Sequence, residues 1–230
     1  MTNRIRFIDG LRGFTMLLVV YHHLCCLAFP TSFEKASVFN NIGMTFRMPL
    51  FFFISGFFLY SNNYTLQLFK KRSKNRLIKQ LYPTIIIALI YCATCLDISP
   101  LAMCLESLKC GYWFTLVSVD LFFIGATLLY FCNSIKLSKK YQILLLMLVG
   151  SAGFIIGIVA AKHNLPTTDL WKLFNLYQIC YFILFFFAGT IFKIVYNYAS
   201  PFIGGGGKRS LSAQYVSARP IIFCKLHLTQ

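Results

Sequence analysis

The sequence predicts an all-α fold: a polytopic bundle of about six transmembrane helices with both termini in the cytoplasm. Three observations predict it. Of 230 residues, 58% are hydrophobic and only 12% are charged, about half the charged share of a soluble domain. A soluble chain of this length has no interior large enough for so much apolar surface, whereas a bilayer accepts it. Six stretches have the length of about 20 mostly apolar residues that a spanning helix needs, at 11–29, 42–62, 81–97, 114–133, 142–161 and 173–196. Finally, Lys and Arg alternate between rich and poor connections.

The first stretch follows Arg4 and Arg6 and carries Arg12 at its mouth. It is long enough to span, and no small-residue cleavage site follows it. It therefore has the character of a start-transfer anchor and not of a cleaved signal peptide. The connection after the second stretch holds Lys70, Lys71, Arg72, Lys74, Arg76 and Lys79. Lys136, Lys139 and Lys140 follow the fourth, and Lys193, Lys208, Arg209, Arg219 and Lys225 follow the sixth or close it. These seventeen lie on one predicted side. Only Lys35, Lys109, Lys162 and Lys172 lie on the other. The positive-inside rule then places the N- and C-termini in the cytoplasm, and the location is the inner (cytoplasmic) membrane, multi-pass.

The net charge of +16 does not point to nucleic acid. The cations are spread between apolar runs, where anionic lipid is the natural partner. Nine cysteines lie mostly within apolar runs as small hydrophobes. Cys92 and Cys95 form one CxxC, with no second pair and no nearby His, so no metal site is expected. Cys104 and Cys110 share a connection in which a disulfide is conceivable. Gly204 to Gly207 opens a polar tail, so the chain divides into 1–200, a membrane domain, and 201–230, a flexible, non-native or disordered tail.

Ionisable groups inside a bilayer are costly and are functional candidates for that reason. Arg12 and His23 are eleven residues apart. At about 100° per residue they share one face, separated by roughly 16 Å. Arg12 then sits at the cytoplasmic mouth and His23 near the midplane. A lone intramembrane His often only bonds a neighbouring helix, but its charge changes near neutral pH, as a general base requires. Arg47, in the second stretch, needs a partner, and Asp97 and Asp120 are the available carboxylates. The three form either a structural ion-pair group or a polar cluster on the acceptor side. Arg76 and Lys79 are three apart at the start of the third stretch. On one helical face they suit an anion such as a phosphate.

Several segments together resemble acyltransferase family 3, the integral-membrane O-acyltransferases of carbohydrates. Arg6-Phe7-Ile8-Asp9-Gly10-Leu11-Arg12-Gly13 is similar to its opening signature, and Arg12 and His23 match its Arg–His spacing. Met48 to Phe57 (MPLFFFISGF) matches its second-helix motif. Arg76-x-x-Lys79 resembles its Arg-x-x-Arg motif, with Lys at the second position. Gly111-Tyr112-Trp113-Phe114 resembles its later aromatic motif. The resemblance implies transfer of an acyl group, usually acetyl, from acyl-CoA to a carbohydrate hydroxyl of a surface polysaccharide or glycan. It implies that His23 is catalytic, that Arg12, Arg76 and Lys79 bind the donor, and that no permanently bound cofactor is needed. Family members have more helices than six, which implies a C-terminally truncated or frameshifted product, inactive in the extreme case. A proton-coupled transporter using His23 and Asp120 is the alternative, although no internal repeat of the kind transporters show is found.

Overall fold

The computed structural model describes residues 6–28, 38–62, 64–96, 99–106 and 109–203. The chain divides into two compact units, Met1–Val195 and Tyr196–Gln230. Among the described residues every regular element is helical. The long elements are α1 (Arg6–Ala28), α2 (Val38–Leu59), α6 (Trp113–Ser134), α7 (Lys139–Lys162) and α9 (Leu176–Ile203). A sixth rod is composite: α3 (Leu66–Arg76), a π-turn (Leu77–Leu81), α4 (Tyr82–Tyr91) and a second π-turn (Cys92–Leu96). Short α5 (Pro100–Leu105) and α8 (Asp169–Leu173) lie in the connections.

Each of the six predicted stretches is mainly helical over its described residues. Four rods, Leu66–Thr94, Trp113–Ser134, Lys139–Lys162 and Leu176–Tyr198, are long and apolar enough to cross a bilayer. In α2 an apolar run covers Thr45–Leu59.

The third rod corrects the sequence reading. The basic segment from Lys70 to Lys79 is helix, not a loop. Lys and Arg are good helix formers, and Thr65 caps the start, its hydroxyl accepting from the Leu68 amide at 3.3 Å. The π-turn follows from Pro83, which has no N–H to give the Lys79 carbonyl one α-turn earlier. The ladder widens there, and the Tyr82 amide reaches back to the Leu77 carbonyl.

The core lies between α2, α6, α7 and α9, around Phe52, Leu121, Leu146, Phe182 and Phe186. The second-helix motif and the aromatic motif meet in it: Phe114 packs edge-on to Phe51 at 4.4 Å, and Trp113 stacks on Phe182 at 5.8 Å. Glycines let the helices close. A Cβ on Gly56 would collide with the Phe186 carbonyl, and one on Gly189 with the Phe53 carbonyl. At this crossing the Thr190 hydroxyl donates to the Gly56 carbonyl at 3.0 Å. The start of α1 packs on α2 through Ile8, Ile54 and Phe57.

At the opposite end of the rods Lys109 is buried, with 3% of its surface exposed. Its ammonium donates to the Cys104 carbonyl and, at 2.8 Å, to the Lys172 carbonyl. Those carbonyls lie in the last turns of α5 and α8, where the helix dipole favours a cation; the Lys172 carbonyl also accepts from the Asn175 amide at 3.3 Å. Burial pushes the ammonium below its ordinary range, while Cys104 and Glu106 pull the other way. Lys109→Met keeps the length and removes the donor. It should cost about 1–3 kcal/mol for the Cys104 carbonyl left without its donor, read as a lower melting temperature in detergent. No change would show that the clamp is dispensable. Cys104 carries a free thiol, and the Cys110 side chain, its partner in the disulfide considered from sequence, lies outside the described residues.

Candidate functional site

A cavity of about 470 Å³ opens between α1, α2, the composite rod and α6. Arg12, Thr15 and Met16 reach it from one face of α1. Arg72, Asn75, Arg76, Lys79 and Gln80 reach it from α3 and the π-turn, and Phe122 from α6. The α2 wall is Phe51, Ile54, Ser55, Phe58 and Leu59. One side is therefore cationic and polar, and the other apolar. All four charged residues lining the cavity are cations.

Each cation is held differently. Arg76 is half-buried; it donates to the Gln80 side chain at 2.6 Å and lies over the Phe122 ring at 5.1 Å. Its stacked, bonded guanidinium stays planar toward the cavity, a geometry suited to paired phosphate oxygens. Arg72 donates to the Leu59 carbonyl at the end of α2 and lies over the Tyr64 ring at 5.6 Å. Arg12 and Lys79 are exposed. The Arg12 charge acts on Arg76, so like charges are gathered with no carboxylate on the cavity wall between them. An anion entering this space relieves that repulsion. Beside it, burial pushes the Tyr64 phenol above its ordinary range, against the pull of Arg72 and Arg76.

The structure thus brings Arg12, Arg76 and Lys79 to one cavity. The π-turn spreads Arg76 and Lys79 in depth, one half-buried and one exposed, although the α-helical spacing placed them together on one face. The backbone of α1 runs unbroken through His23, so the eleven-residue spacing from Arg12 is helical. The His23 side chain lies outside the described residues, as does Asp97. Arg47 is buried in α2, one turn before Phe51. Asp120 is half-buried in α6. Neither Arg47 nor Asp120 lines the cationic cavity.

Sequence reasoning missed Arg72, Asn75 and Gln80, because their segment was read as a loop. The signal was present: positions 72, 75, 76 and 79 repeat at helical spacing and form one polar stripe.

A family profile described as an acyltransferase domain, that of acyltransferase family 3, matches residues 5–218. The chain belongs to this family. No curated protein and no solved structure matches it. The match takes in every described helix of the acyltransferase and continues past Ile203 into residues that are not described. With four rods apolar enough to span a bilayer, this acyltransferase is a membrane protein.

Proposed function

We propose that this acyltransferase moves an acyl group, acetyl by family resemblance, from acyl-CoA to a hydroxyl of a surface polysaccharide or glycan. The observation that carries the reading is the gathering of Arg12, Arg72, Arg76 and Lys79 around one cavity with an apolar wall. CoA is a polyanion with a thin, largely uncharged arm. Cations suit its phosphates, and the Phe51–Leu59 wall suits the arm. In this reading both termini and the cavity mouth face the cytoplasm of the inner membrane, where acyl-CoA is made.

His23 accepts the proton of the acceptor hydroxyl, and the oxygen attacks the thioester carbonyl. The tetrahedral intermediate expels the CoA sulfur, which takes the proton back from His23. One ester forms and one thioester breaks, with no net redox change and no cofactor. From the Arg12 level to His23 the helix rises roughly 16 Å, a span of the order of an extended pantetheine arm.

The test is incubation of membranes containing the chain with labelled acetyl-CoA and glycan. Base-labile label on the glycan supports the reading, and none from folded protein overturns it. Arg76→Gln should raise KM for acyl-CoA about tenfold to a hundredfold, the worth of a charged hydrogen bond, with little change in kcat. An unchanged KM would remove Arg76 from donor binding.

A further inference from the structure

A second cavity, of about 610 Å³, opens on the other side of the bundle, between α7 and α9 with Phe53 of α2. Leu144, Met147 and Leu148 form one wall, and Ala188, Ile191 and Phe192 the other. Ser151 is the one polar residue lining it, and its hydroxyl is spent on its own helix, donating toward the Met147 carbonyl at 2.8 Å and the Leu148 carbonyl at 3.1 Å. The groove therefore offers an occupant no hydrogen bond and suits an alkyl chain.

Two features give the occupant a head. The groove stripe on α7, at 144, 147, 148 and 151, continues one turn back to Lys140 at the same helical spacing. Lys140 is exposed. Lys136 is also exposed in the preceding turn, and neither α7 nor α9 contains an Asp or Glu. The groove mouth is thus a cationic rim without counter-charge, at the first turn of a rod that spans by its own length and composition. Leu144, Met147 and Leu148 are each more than half exposed, on the most apolar of the four spans, with a mean hydropathy of 2.7.

We infer that this groove is a binding site for an anionic phospholipid, one acyl chain lying between α7 and α9 and the phosphate at Lys140. The site is independent of the cationic cavity and of the acyl-transfer reading. It places an ordered lipid against Phe53, which does not line the cationic cavity.

The test uses the full chain reconstituted in bilayers of equal parts phosphatidylglycerol and phosphatidylcholine, released into mild detergent, with retained lipid read by mass spectrometry. Wild type should retain phosphatidylglycerol in preference to phosphatidylcholine. Ala188→Trp, which fills the groove from an exposed position, should lose both. Lys140→Gln, on an exposed side chain, should keep chain binding but lower the phosphatidylglycerol preference about fivefold, the effect of one interfacial lysine. Equal retention of the two lipids by wild type overturns the inference. So does unchanged retention in Ala188→Trp, or a dimer that covers the groove. If Ala188→Trp does not fold, the Lys140→Gln preference decides alone.

Discussion

His23→Ala should reduce acyl transfer to background while leaving acyl-CoA binding intact. A positioned general base contributes about a hundredfold to ten-thousandfold, and no other histidine shares the Arg12 face of α1: His22 is one residue, about 100°, away. The cations proposed to hold the donor are carried by Arg12 and by the composite rod, so truncating His23 removes none of them. Turnover and donor affinity should therefore separate, with kcat falling and the dissociation constant for CoA unchanged. Parallel loss of CoA binding would make His23 a structural residue. Full activity in the variant would end its assignment as the base.

The outline of the bundle was legible because bilayer-spanning helices are dictated by composition: long apolar runs have no alternative to internal hydrogen bonding. The site was half legible. Arg12, Arg76 and Lys79 could be picked out by their position against apolar runs, and they reach one cavity. Arg72 was hidden, because a run of cations read for topology masks which of them turn inward. What decides that is tertiary: Arg72 finds the Leu59 carbonyl thirteen residues back, and Arg76 finds the Phe122 ring on another rod. The short helices α5 and α8 left no periodic signal, since their ends are held by Lys109 and the distant Lys172 carbonyl and not by local propensity.

Gly56→Ala should be the most damaging single-methyl change among the glycines of α2. Its new Cβ would meet the Phe186 carbonyl, which is backbone and has no rotamer to yield, and Gly189 stands in the mirror position against the Phe53 carbonyl. The two helices must move apart, which also stretches the Thr190 hydroxyl from the Gly56 carbonyl. Overpacking of this kind costs about 1–3 kcal/mol, and here it falls on the tightest seam of the core. The damage should reach function, because Ile54, Ser55, Phe58 and Leu59 on the same turns of α2 line the cationic cavity. Gly43→Ala provides the control: the same helix and the same methyl, but with nothing within 4 Å of the new atom. In an α-helix that change alone stabilises slightly. The melting temperature in detergent should therefore drop for Gly56→Ala and hold or rise for Gly43→Ala, and KM for acyl-CoA should rise only in the former. Equal behaviour of the two variants would mean that α2 and α9 do not cross at Gly56 and Gly189. The cavity wall would then owe its position to something other than this seam.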